Sequence, residues 1–341
     1  MAAAAPSPQS NAVVFQLPTP RAAPAPHAMI RPCAAPHEMF RPFPAAPASA
    51  ELKLSDLDKV GDLGEGACGT VTKVRLRGGS SSAVFALKTA YYPDPNAEEE
   101  AEVLRRTSGS PHLVRCHAIF RGAAGEPAML LELMDAGSLG RVLLARRRAG
   151  LPEPALAEVA SRCLAGLAHL HSRGVAHLDF KPDNLLANSR GDVKIGDFSE
   201  SRIFSRTPGE RLEVSIAVGS TAYMSPERFA PDARAGPRGA CAADVWGLGV
   251  TVLELFSGRR PILPDVQRPS WGMLMEAICH GEPPVVPESA SSSLRGFVTA
   301  CLQKDPRRRG TVAQLLAHPF VARRDAGASR RALREIILET M

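Results

Sequence analysis

The sequence has 341 residues, of which 30 are Pro and 28 Gly, with a hydrophobic fraction of 45% and a formal net charge of +6. That apolar content suffices for a core and excludes a wholly disordered chain. No uninterrupted apolar run approaches the ~18 residues of a membrane span, no secretory leader is recognisable, and the scattered Arg residues make neither nucleic acid nor a membrane an expected partner.

Residues 1–50 are mostly Ala, Pro and small polar groups, with Pro too frequent for helix or sheet hydrogen bonding, and are expected to form a disordered tail. Within it Pro26-His-Ala-Met-Ile-Arg-Pro32 recurs as Pro36-His-Glu-Met-Phe-Arg-Pro42. Apolar periodicity begins near Leu52, so the folded domain is expected over 51–325. The seven Cys are widely spaced and form no C-x-x-C pair, which predicts free thiols in a reducing compartment.

Gly64-Glu-Gly66-Ala-Cys-Gly69-Thr-Val71 is a G-x-G-x-x-G-x-V pattern. A dinucleotide fold needs a helix directly after such glycines, and a Walker A loop needs Gly-Lys-Ser/Thr. Here the residues from Thr70 to Leu76 alternate in character, as a strand does. The pattern is therefore a glycine turn between two strands, whose backbone N–H groups can lie over phosphates where no Cβ intervenes. Lys88 ends the apolar run Val84-Phe-Ala-Leu-Lys88 and can neutralise phosphate if an anion holds it. The helix-spaced stretch Ala97-Glu-Glu-Glu-Ala-Glu-Val-Leu104 supplies one, with Glu100 as the expected partner.

Residues 153–174 have helical periodicity through Leu156, Val159, Ala160, Cys163, Leu164, Leu167 and Leu170, with Gly174 as the stop. Then comes His177-Leu-Asp179-Phe-Lys181-Pro-Asp-Asn184, followed by Asp197-Phe198-Ser199. A carboxylate, an ammonium and an amide within six residues suit phosphoryl transfer. Asp179 is placed to orient the proton of an attacking hydroxyl and Lys181 to stabilise charge on the transferring group. Asn184 and Asp197 are hard oxygen ligands for Mg²⁺.

Together these motifs resemble the protein kinase family over 55–322. Ser225-Pro226-Glu227 is similar to the family's Ala-Pro-Glu, Asp244-Val-Trp-Gly-Leu-Gly249 to its Asp-x-Trp-Ser-x-Gly, and Arg309 to the Arg that pairs with the Glu227 position. The resemblance implies an α+β bilobal fold: a small β-rich lobe with one regulatory helix over about 55–133, and a larger, mainly helical lobe over about 134–322. An amphipathic helix is expected over 326–341, from Leu333, Ile336 and Ile337. The resemblance further implies ATP and Mg²⁺, with Leu63, Gly64, Gly66, Gly69, Val71, Ala86, Lys88, Glu100 and Leu186 around the nucleotide. Backbone at Glu132 and Met134 would hold adenine.

Val218-Gly-Ser-Thr-Ala-Tyr-Met-Ser-Pro-Glu-Arg-Phe229, Met134-Asp-Ala-Gly-Ser-Leu139 and Ser110-Pro-His-Leu-Val-Arg-Cys-His117 are similar to MAP kinase kinases, the last to plant members. Such enzymes phosphorylate Thr and Tyr in a MAP kinase activation loop and are themselves acted on by a MAP kinase kinase kinase. The expected compartment is the cytoplasm, with the nucleus as a second. A catalytically weak scaffold and a kinase with other Ser/Thr substrates are the alternatives.

Three features depart from the family. Leu178 stands where an Arg normally clamps the phosphate of a phosphorylated loop, and the usual phosphorylation positions hold Leu212 and Ile216. Ser205, Thr207 and Ser215 are the remaining acceptors nearby. The expectation is a kinase not switched on by loop phosphorylation in the usual manner. Ser199 replaces Gly, which predicts a backbone cost of roughly 1 kcal/mol if the position needs a left-handed φ. The interval from Lys88 to Glu100 is short for the family, so a trimmed helix and an insecure ion pair are expected.

Overall fold

The computed structural model describes residues 52–66, 69–78, 83–204, 220–229 and 236–341. The expected tail at 1–50 and the positions Ser205, Thr207, Leu212, Ser215 and Ile216 lie outside the described residues. The alternating segments either side of the glycines form β1 (Leu57–Gly66) and β2 (Gly69–Leu76), antiparallel with Gly66 opposite Gly69. β3 (Val84–Ala90), β4 (Cys116–Arg121) and β5 (Pro127–Glu132) complete an antiparallel sheet in the order β1-β2-β3-β5-β4. Successive side chains of β3 point to opposite faces. Phe85 packs into a cluster with Leu57, Val74 and Leu130, with Leu87 against it, which turns Ala86 and Lys88 to the other face.

On that face lies α1 (Pro95–Arg106). Asp94 caps it, accepting from the N–H groups of Asn96 at 2.7 Å and Ala97 at 3.0 Å, and Pro95 occupies the first turn where its missing N–H is harmless. α1 begins within one and a half turns of Glu100. The glycines differ in their constraints. A Cβ on Gly69 would stand 2.2 Å from the Thr89 carbonyl oxygen, so close strand approach demands glycine there. A Cβ on Gly64 would meet nothing within 4 Å, and one on Gly66 only the Gly69 oxygen at 4.0 Å.

After β5 come β6 (Gly137–Ser138), α2 (Leu139–Ala145) and α3 (Glu153–Ser172). Every residue of the predicted α3 stripe is buried, and Gly174 adopts φ +72° just past the helix end. β7 (Val175–Ala176) pairs with β10 (Arg202–Ile203), while β8 (Leu185–Ala187) lies between β6 and β9 (Val193–Ile195). These short ladders hold the catalytic-loop sequence on top of the helical body. α4 (Pro237–Ser257) is apolar on almost every side, as a helix surrounded by protein must be. α5 (Trp271–Met275), α6 (Ser292–Cys301), α7 (Val312–Leu316), α8 (Pro319–Ala322) and α9 (Ala326–Glu339) follow.

α9 packs along α3 and buries Leu333, Ile336 and Ile337. Arg324 and Arg330 reach the buried Glu158 of α3 at 3.1 and 3.4 Å. Among the described residues, Cys116, Cys163, Cys241, Cys279 and Cys301 are free thiols.

Candidate active site

Lys88 enters from β3 and Glu100 from α1, and their charged atoms meet at 2.6 Å. The pair expected to be insecure is therefore formed. Glu100 comes within reach of Lys88 because Asp94 fixes where α1 begins. Lys88 Nζ also donates to Asp197 Oδ1 at 2.8 Å. Burial works against the Lys88 ammonium, but Glu100 and Asp197 outweigh it and raise its pKa above the ordinary lysine range. Burial likewise opposes the Asp197 carboxylate, yet Lys88 holds it well below the usual carboxylate range. Burial pushes the Glu100 carboxyl up from its ordinary range, and Lys88 works against that push.

Glu100 Oε1 accepts as well from the Phe198 N–H at 3.3 Å, which ties α1 to the Asp197-Phe198 segment. Phe198 is buried and meets the His177 ring edge-on, with centroids 5.5 Å apart. Asp197 itself has φ +57°, whereas Ser199 is not among the residues with positive φ. The cost expected from Ser in place of Gly is therefore not incurred here: the left-handed turn falls two residues earlier. Ser199 instead hydrogen-bonds Asp197 and favours its charged form.

The catalytic-loop residues converge as their spacing suggests. Asp179 Oδ2 accepts from Lys181 Nζ at 2.6 Å and from Asn184 Nδ2 at 2.8 Å. Asn184 Nδ2 also bonds the Asp179 carbonyl at 2.8 Å, which leaves its amide oxygen to face elsewhere. Lys181 Nζ donates in addition to Ser220 Oγ at 2.6 Å. Sequence reasoning assigns no role to Ser220, although it lies in the quoted Val218-Gly-Ser220 stretch. Only the fold brings it back across 39 positions to Lys181.

Asp244 is no more than a landmark in the sequence. Its carboxylate, 1% exposed inside apolar α4, accepts from the His177 N–H at 3.0 Å and the Leu178 N–H at 2.7 Å. His171 Nε2 sits 2.8 Å from the same carboxylate. Burial works against the charged imidazole, and the hydrogen bonds to Asp244 and Cys241 raise it to about 10. This buried ion pair holds the loop backbone from below.

Leu178 is 6% exposed and packs with Ala176, Phe204, Ala240 and Ala243. An apolar cluster thus fills the place from which the family's Arg would reach a loop phosphate. Arg309 makes a two-pronged bond to Glu227 at 2.7 and 3.0 Å, with its guanidinium 5.3 Å from the Trp246 ring centre.

The expected nucleotide-site residues are distributed as follows. Val71 lies across from Lys88 in the β2–β3 ladder, and Ala86 across from Leu131 in the β3–β5 ladder. Leu63 is 43% exposed on β1, and Leu186 is half-buried on β8. Glu132 N–H donates to the Arg115 carbonyl, while its carboxylate accepts from Lys194 Nζ at 2.6 Å and the Arg115 N–H at 2.7 Å. This braces the connection between the two lobes. Met134 is buried and accepts from the Gly137 N–H at 3.0 Å through its carbonyl.

The residues present fit a nucleotide with Mg²⁺. Gly64 and Gly66 stand in open space, with no protein atom nearer than 4.0 Å to where a Cβ would be, so their backbone is open to approach by a ligand. Asp197 and the free oxygen of Asn184 supply the one or two protein ligands with which Mg²⁺ is usually held alongside phosphate.

Comparison with known proteins agrees with this geometry. The family described as "Protein kinase domain" matches residues 57–321. Mitogen-activated protein kinase kinase 9 of Arabidopsis thaliana is 44% identical over 272 residues, covering 78% of this chain and 84% of the relative. Mitogen-activated protein kinase kinase 7 from the same plant is 42% identical, covering 79% and 86%. Mitogen-activated protein kinase kinase 10 is 40% identical, covering 80% and 86%.

Proposed function

This chain belongs to the protein kinase family and is a signalling kinase of the MAP kinase kinase type; on that premise we propose that it transfers phosphate from ATP to the Thr and the Tyr of a MAP kinase activation loop. The observation that carries the proposal is the paired arrangement of Lys88, Glu100 and Asp197 on one side and Asp179, Lys181, Asn184 and Ser220 on the other. A binding scaffold has no need to keep all of these groups paired and oriented.

In this reading Lys88, neutralised and aimed by Glu100, holds phosphate oxygens under the Gly64–Gly69 turn. Asp179 accepts the hydrogen bond of the incoming hydroxyl and takes its proton. Lys181 is shared between Asp179 and Ser220, so the ammonium is positioned beside the transferring group before substrate arrives. Asn184 and Asp197 would hold Mg²⁺, which supplies neutralisation of phosphate charge. The Glu132 and Met134 backbone would hold adenine, with Leu63, Val71, Ala86 and Leu186 against its faces. An upstream MAP kinase kinase kinase is the partner the relatives' class suggests.

Leu178 favours a second reading, a catalytically weak scaffold, because the phosphate clamp is gone. The formed Lys88–Glu100 contact and the ordinary backbone at Ser199 weigh against it. The test is transfer of phosphate to a purified MAP kinase bearing Thr-x-Tyr, with Mg²⁺-ATP, beside Lys88→Met and Asp179→Asn. Phosphate on both residues with the wild type, and a loss of at least about 100-fold in each variant, is expected. A wild type that binds the MAP kinase but phosphorylates neither residue overturns the enzyme reading.

A further inference from the structure

The backbone at Leu178 is left-handed, with φ +63°, immediately before Asp179. A leucine pays roughly 1–2 kcal/mol for that conformation, so its surroundings must impose it. Both polar groups of its peptide are taken by charged side chains. The N–H donates to Asp244 at 2.7 Å. The carbonyl accepts from the Arg228 guanidinium, which reaches it from a part of the chain 50 residues away. The Leu178 side chain fixes the third direction by packing into its apolar cluster.

Arg228 is itself held firmly. It closes the short helical turn Pro226–Arg228, and its neighbour Glu227 is locked by the buried Arg309. The half-buried guanidinium lies in the field of Asp244, Asp179, Glu200 and Glu227. A guanidinium is suited to this place, because it stays charged when partly buried and offers several donors in a rigid fork.

We propose that Arg228 is a positioning residue for the transfer reaction, holding the Leu178 carbonyl so that Asp179 keeps its orientation without a phosphate clamp. It acts through the backbone, at the Leu178 carbonyl. The proposal rests on the kinase reading above. With position 178 apolar, the loop finds its cation in Arg228. That cation comes from the segment after Ser225-Pro226-Glu227 and grips the main chain.

The experiment compares wild type, Arg228→Gln and Arg228→Lys. Three quantities are measured: kcat and KM on a MAP kinase bearing Thr-x-Tyr, the Kd for Mg²⁺-ATP, and amide exchange across residues 177–180. Arg228→Gln is expected to lower kcat by about 10- to 100-fold, as a small misplacement of a catalytic group does, with the Kd and the melting temperature nearly unchanged. Exchange at 177–180 is expected to quicken, and Arg228→Lys to recover most of kcat. Unchanged kcat, or a fall matched by lost nucleotide binding and a lowered melting temperature, overturns the proposal. If the wild type itself transfers no phosphate, the kinase reading fails separately. Exchange at 177–180 then decides the positioning role: faster in Arg228→Gln supports it, and unchanged overturns it.

Discussion

Single charges at this site are set by their partners more than by their type. Lys88 serves two carboxylates, and Asp244 serves an imidazolium and two backbone N–H groups. The His171–Asp244 pair makes a prediction about pH. The imidazole's pKa is raised to about 10 in the folded protein, against about 6.5 in an unfolded chain. A raised pKa means that the folded state binds the proton more tightly, so its contribution to stability is fully present below pH ~6.5 and is lost as pH rises toward 10. The difference in melting temperature between wild type and His171→Gln should shrink steadily from pH 6.5 to 10. A difference that stays constant across that range contradicts a charged His171. At this scale most of the site is legible in sequence, because side-chain chemistry such as that of Asp179, Lys181 and Asn184 is declared by identity and spacing. The backbone at Ser199 is not, since which residue takes a left-handed φ depends on how the turn is packed.

At the scale of elements, α1 decides whether Lys88 is held. The helix runs only from Pro95 to Arg106, and its first turn depends on the Asp94 cap. Removing such a cap costs about 1 kcal/mol. Asp94→Ala should therefore lower stability by about that much in denaturant titration, and slow phosphate transfer because Glu100 is carried on the frayed end. An unaltered rate together with an unaltered midpoint would mean that Glu100 is held by tertiary contacts alone. Tertiary contacts do reach the helix: Glu99 accepts from the Ile203 N–H at 2.9 Å and lies 3.7 Å from Arg202, and Asn96 accepts from Arg202 at 3.2 Å. They tie α1 to β10, a juncture no periodicity reveals. The strand alternation of β2 and the α3 stripe are readable, because each follows from one side being buried.

Across the whole molecule, the helical body is a platform. α3 and α4 run through the main hydrophobic core, and α9 closes α3 from outside. Leu333 is fully buried in that seam, so Leu333→Ala should cost about 2–5 kcal/mol and shift the thermal midpoint accordingly. A change under about 0.5 kcal/mol, the size usual for surface sites, would show that α9 is only loosely docked.

The sequence alone is sufficient for the family, the bilobal α+β class, the order of the motifs and most of the reactive side chains. These are properties of residue type and short spacing, which the local periodicities of helix and strand translate directly. What only the tertiary structure decides are contacts between distant segments: Ser220 on Lys181, Asp244 under His177 and Leu178, Arg228 on the Leu178 carbonyl, and the apolar cluster that replaces a phosphate clamp. Each depends on where a peptide group or an unremarkable side chain comes to rest after packing. No spacing rule carries that information, because burial and the need to satisfy buried polar groups act through space and not along the chain.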